Sequence, residues 1–240
     1  MQTELKPVPS NDTAFSGNAA VGAGAIAPEA HKVLRNTYLL LALTMVPTVI
    51  GAMIGMSTAS MVMQHPIIIS LVMLAAVIGL QFAIAANRDS GLGVGLLLLM
   101  TGLLGWWLGP ILTVALALKN GPALVGYAAA GTGIVMAVMA TIATTTKRDY
   151  SFMGKFLFVG MIVLLVAMVA NMFLQIPALG LAISSMVILV FSLFLLHDLS
   201  RIVTGGETNY LMATTGVYMS LFNIFSSLLQ LLLALTGEKD

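Results

Sequence analysis

A chain of 240 residues that is 59% hydrophobic, 8% charged and close to neutral at a net charge of +1 cannot cover a water-facing surface. A soluble domain needs about 25% charged residues for that. Without a Lys/Arg stripe the chain lacks the electrostatic footprint of a nucleic-acid partner, and without cysteine it forms no disulfide, thiolate nucleophile or cysteine-bound metal site.

Lipid is therefore the expected solvent, and the fold class expected is all-α: a polytopic membrane protein built as a seven-transmembrane-helix bundle. The order of elements begins with residues 1–30, rich in Ala, Gly, Ser, Asn and Pro. They lack the basic start and apolar run of a signal peptide, and read as a flexible cytoplasmic amino-terminal tail. Residues 31–240 then form the transmembrane domain. Its apolar stretches fall at Leu34–Met56, Pro66–Asn87, Gly91–Leu118, Pro122–Thr146, Gly154–Leu174, Pro177–His197 and Tyr210–Leu235, each at least as long as the roughly 20 residues that a bilayer needs. Short connectors with helix-ending punctuation separate them, such as His65-Pro66, Lys119-Asn120-Gly121-Pro122 and Gly205-Gly206-Glu207. The third stretch is longer than a bilayer requires and contains Gly109-Pro110. A kink or break is expected there, with Trp106 and Trp107 in an interfacial aromatic belt and Ile111–Leu118 running along the interface.

Lys6, Lys32, Arg35, Arg88, Lys147, Arg148, Lys155 and Arg201 lie on the amino-terminal side, against Lys119 and Lys239 on the other. The positive-inside rule then places the amino terminus in the cytoplasm and the carboxyl terminus on the opposite face of the membrane.

Between Leu39 and Leu196 no Asp, Glu, Lys or Arg occupies the middle of a span, which disfavours an ion-coupled pump. The last span has no lysine for a retinal Schiff base. His197, the one base near a span, sits at a helix end, so no catalytic residues and no enzyme activity are expected. The three histidines, His31, His65 and His197, fall in or beside different loops, so neither a metal site nor a cofactor is expected. Gly216, Ser220, Asn223, Ser227 and Gln230, with Ala213 before them, recur at steps of three and four along the last span and share one helix face. Such a face either packs against neighbouring helices or lines a hydrated path; the residue types favour packing. Gly51/Gly55, Gly91/Gly95 and Gly105/Gly109 are small-xxx-small pairs suited to crossings inside the bundle, and Asn171 with Gln175 suits the end of the fifth span. Asp198 and Arg201, three apart, are placed to pair as a solvated ion pair or as a charged latch on the cytoplasmic mouth.

The segments Leu104-Gly105-Trp106-Trp107-Leu108-Gly109-Pro110-Ile111-Leu112, Tyr218-Met219-Ser220-Leu221-Phe222-Asn223-Ile224-Phe225 and Gly205-Gly206-Glu207-Thr208-Asn209-Tyr210, with Asp198, resemble the Bax inhibitor-1 family. His31 to Tyr38 and Met168 to Leu179 resemble its bacterial YccA branch, and the likeness runs from His31 onward. It implies a bundle in which the seventh span is central. It implies as partners membrane lipid and the membrane-anchored AAA protease FtsH, for which the branch is substrate and modulator. The wider family implies an alternative, a pH-sensitive calcium leak through paired aspartates, with calcium as the transported ion. Asp198 matches the sixth-span aspartate, whereas Ser220 stands at the seventh-span position, and serine cannot share a proton as a second carboxylate would.

Overall fold

The computed structural model describes residues 28–146 and 148–237. Most of the expected tail, residues 1–27, lies outside the described residues, as do Lys147 and Lys239. Eight helices follow one another: α1 (Pro28–Ser57), α2 (Ala59–Gln64), α3 (Pro66–Ala86), α4 (Gly91–Ala117), α5 (Gly121–Thr146), α6 (Met153–Leu174), α7 (Pro177–Val203) and α8 (Tyr210–Gly237). No strand occurs among the described residues, and seven of the helices are long and apolar enough to cross a membrane. The short α2 is an addition to the expected order. The seventh expected span is α8.

Glycine decides how closely α1 and α4 approach. Gly51 meets the Gly102 carbonyl, Gly55 the Trp106 carbonyl, Gly105 the Thr48 carbonyl and Gly109 the Gly55 backbone, so that a Cβ at any of these positions would overlap main-chain atoms. Two of the three expected small-residue pairs thus pack internally. Gly91 and Gly95 do not, for nothing lies within 4 Å of a Cβ built at either.

The same seam explains why the expected break at Pro110 is absent and why Ile111–Ala117 continues α4 as one helix. Proline leaves the carbonyl four residues earlier, that of Trp106, without its helical donor. Here that carbonyl is packed against Gly55 of α1, and the Trp106 indole Nε1 donates to Thr58 Oγ1 across the same interface at 2.8 Å. The neighbour holds both sides of the proline in one helix.

α8 packs against α1, α3, α4, α5 and α7, the position expected of a central helix. Tyr218, 2% exposed, shares a hydrogen bond with Thr48 Oγ1 of α1 at 2.8 Å. Around it an apolar cluster takes Leu41 from α1, Ile84 from α3, Leu97 and Met100 from α4, and Leu195, Leu199 and Ile202 from α7. A second cluster, near the carboxyl-terminal end of α8, joins Leu229 to Leu108, Leu112, Ala115 and Ala128. The outward faces carry Phe82, Ile134, Phe156 and Val163, all exposed, as a lipid-wetted surface requires. At the end of α6, Asn171 Oδ1 accepts from Ile176 N at 3.1 Å. Gln175 takes the left-handed conformation with φ 52° and donates its N–H to Asn171 O at 2.8 Å, so the expected helix-end role of these two residues is met.

Candidate functional site

The polar face of α8 divides between two cavities. Gly216 and Ser220 border the first, of about 300 Å3, together with Gln81 of α3, Met161 of α6, and Asp198 and Arg201 of α7. Asn223, Ser227 and Gln230 border the second, of about 520 Å3, with Ser70 of α3, Asn171 of α6 and Ser184 of α7. Between the two, Val187 of α7 is fully buried against Leu164 of α6. Within the stripe, Ser184 Oγ donates to Gln230 Oε1 at 3.1 Å and ties α7 to α8, and Asn223 Nδ2 donates to Met219 O of its own helix at 2.8 Å.

Asp198 sits where α7 crosses Gly216. A Cβ on Gly216 would lie 2.5 Å from Asp198 Oδ2, so the missing side chain is what admits the carboxylate between the helices. Asp198 Oδ1 lies 3.1 Å from His197 Nδ1. The expected pairing of Asp198 with Arg201 is not formed. Arg201 turns to the end of its own helix instead, donating from Nη2 to Gly206 O at 3.2 Å and meeting Glu207 Oε2 at 3.4 Å. Gly205, with φ 78°, makes the turn that brings Glu207 back. A basic side chain in a last helical turn is drawn to the free carbonyls there, and Asp198, one position after His197, points into the bundle rather than along that face.

This turn is fastened to the one between α3 and α4. Asn209 Nδ2 donates to Arg88 O (3.0 Å) and Asp89 Oδ1 (2.9 Å), while Asn209 Oδ1 accepts from the N–H groups of Leu211 and Met212 at the start of α8. Glu207 Oε1 accepts from Asn209 N at 3.0 Å. The α5–α6 loop adds Asp149, whose carboxyl is held below its ordinary range, first by hydrogen bonding from Ser151 and then by the charges of His197 and Arg201. His197 also borders α6, where a Cβ on Gly154 would lie 2.9 Å from Nε2.

Of these charged groups, Asp198, Arg201 and Glu207 border the first cavity. Sequence spacing located Asp198 and Arg201 but missed His197 beside Asp198, Glu207 as the partner of Arg201 and Asn209 as the tie from this turn to Arg88 and Asp89. The available signal was Asn209 immediately before the first apolar residue of a helix, the usual N-cap position. Among the described residues no three His, Asp or Glu side chains gather to hold a metal, and Ser220 makes no hydrogen bond to His197 or Asp198 in the shared cavity.

Residues 30–237 match the family model described as inhibitor of apoptosis-promoting Bax1. An uncharacterized membrane protein of Vibrio cholerae is 44% identical over 85% of this chain and 90% of its own length. Two proteins of Escherichia coli, the modulator of FtsH protease YccA of strain K12 and the inner membrane protein YccA of strain CFT073, are each 43% identical over 84% of this chain and 90% of their own length.

Proposed function

The chain belongs to the Bax inhibitor-1 family, and from that premise we propose that this multi-pass membrane protein lies in a bacterial inner membrane and binds and modulates an FtsH-type protease. The observation that carries the reading is the 43% identity, over 90% of its length, to a protein named as a modulator of that protease. Physical features support a division of labour. An amino-terminal segment of about thirty residues offers an ATP-driven protease something to grip. The glycine seam between α1 and α4 gives the bundle a close-packed body that resists extraction. The orientation proposed, amino terminus cytoplasmic, is supported by Lys32, Arg35, Arg88, Arg148, Lys155 and Arg201 gathering at one end of the bundle.

Affinity purification from detergent followed by mass spectrometry should recover the protease; recovery of none overturns the proposal. A variant lacking residues 2–27 leaves α1 whole. It should outlive the full-length protein in cells and lose its effect on other protease substrates, whereas equal lifetimes and equal effects would remove the tail from the mechanism.

A second reading, a pH-sensitive calcium or cation leak, is favoured by one observation: two cavities follow the polar face of α8, and Asp198 and Glu207 border one of them. Purified protein in calcium-loaded liposomes should then show a pH-dependent flux that Asp198→Asn abolishes. Flux no greater than that of empty liposomes rejects this reading and leaves the first untouched.

A further inference from the structure

We propose that the larger cavity is a binding site for an uncharged, membrane-soluble amphiphile whose head carries carbonyl acceptors, an ester or ketone on apolar tails. Its floor points to such a molecule. Ser227 is 4% exposed and its hydroxyl has no hydrogen-bond partner among the described residues. The adjacent Ser226 donates to Asn223 O at 3.2 Å, the usual arrangement for a helical serine. Nor is the Ser227 hydroxyl sealed in the protein, since Thr37 Oγ1 alone among the described residues is both buried from solvent and unpartnered; it borders the cavity.

Two amides add donors beside it. Asn171 Oδ1 is occupied by Ile176 N–H, which fixes the amide's orientation and leaves its NH2 group unpaired. Gln230 Oε1 is occupied by Ser184 Oγ, and its NH2 group is likewise left. Against the Ser227 hydroxyl and these two NH2 groups, of which that of the exposed Gln230 lies at the rim, stands the Asn223 amide oxygen, free because its Nδ2 donates to Met219 O; the excess of donors calls for an acceptor-bearing ligand.

The walls exclude charge. No Asp, Glu, Lys, Arg or His lines this cavity, so neither a metal ion nor a phosphate headgroup would find a counter-charge in a low-dielectric site. Met63, Met168 and Met172 line it instead, and methionine adapts its shape to irregular apolar surfaces. The route in is lateral: α3 and α6 flank the cavity without forming a packed helix pair, and their outward residues, Val72 and Phe173 among them, are exposed. A volume of about 520 Å3 falls within the roughly 300–1,000 Å3 of small-molecule sites.

The test needs no protease, so its outcome is separable from the reading above. Trp107 lies in the cavity wall, and the chain has two tryptophans; Trp106→Phe leaves Trp107 as the sole indole. The purified full chain in nanodiscs is titrated at low mole fraction with dioleoylglycerol brominated on its acyl chains. Phosphatidylglycerol brominated on the same chains is the comparison. Saturable quenching by the neutral lipid alone is expected, with the midpoint raised about fivefold by Ser227→Ala, as befits the loss of one neutral hydrogen bond. Ser227→Phe, which fills the cavity, should abolish saturation, and unchanged thermal unfolding of Ser227→Ala shows that folding is not the cause. Equal, unsaturable quenching by both lipids (surrounding lipid only), no quenching (water only), or an unmoved midpoint in Ser227→Ala would each overturn the proposal.

Discussion

Replacing Gly109 with leucine is expected to leave little or no folded protein. A Cβ at this position overlaps the Cα and carbonyl of Gly55 on the facing helix. A clash with a side chain can be relieved by rotation, but here the obstacle is main chain, and only separation of the two helix axes removes it. Separation would also pull Gly105 from Thr48 and Gly51 from Gly102, part Trp106 Nε1 from Thr58, and uncover the Trp106 carbonyl that Pro110 left without a donor. Overpacking a core commonly costs about 1–3 kcal/mol. With backbone against backbone over two turns, and with packing rather than water-driven burial holding membrane helices together, the cost should exceed about 4 kcal/mol, the range of severe single substitutions. Gly95→Leu on the same helix is the control: its Cβ meets nothing within 4 Å, and its effect should stay within about 0.5 kcal/mol. Yield after detergent extraction and the midpoint of thermal unfolding measure both. Equal stability of the two variants would show that the seam does not hold α1 to α4.

The contrast between these glycines marks where sequence stops being informative. Gly91/Gly95 and Gly105/Gly109 have the same spacing, and it is the position of α1 that makes the second pair an interface while the first meets nothing. The spans themselves were legible because hydrocarbon imposes long apolar runs whatever their partners. The alternation of three and four along α8 was legible because a helix face is a local property. Helix ends were less so: α7 runs six residues past His197, to Val203, because the polar side chains of Asp198 and Arg201 found partners near the helix end instead of stopping it. The continuity of α4 through Pro110 was hidden for a related reason, since it depends on what another helix offers the freed carbonyl. In the site, the composition of the stripe could be read from spacing, but its division between two cavities could not. That division arises where Val187 of α7 packs against Leu164 of α6, and no periodicity within one helix records a contact between two others.

The second large effect concerns Gly216, and it is a coupling rather than a simple loss. Alanine there puts a methyl 2.5 Å from Asp198 Oδ2, and the carboxylate cannot yield without leaving His197 Nδ1, 3.1 Å away. Gly216→Ala alone should therefore destabilise the protein by about 1–3 kcal/mol, the cost of overpacking. That sign is the opposite of intrinsic preference, because alanine is about 1 kcal/mol better than glycine inside a helix. With Asp198→Ala in place, the obstacle is gone and only the preference remains, so the same Gly216→Ala change should become neutral or stabilising. Interaction energies between touching residues run from about 0.5 to 3 kcal/mol, and this pair should lie toward the upper end, because the sign of one substitution reverses with the other. Thermal unfolding of the four proteins of the cycle measures it. Additive effects would mean that the Asp198 carboxylate does not occupy the notch at Gly216, and the placement of the only aspartate facing α8 in the first cavity would have to be abandoned with it.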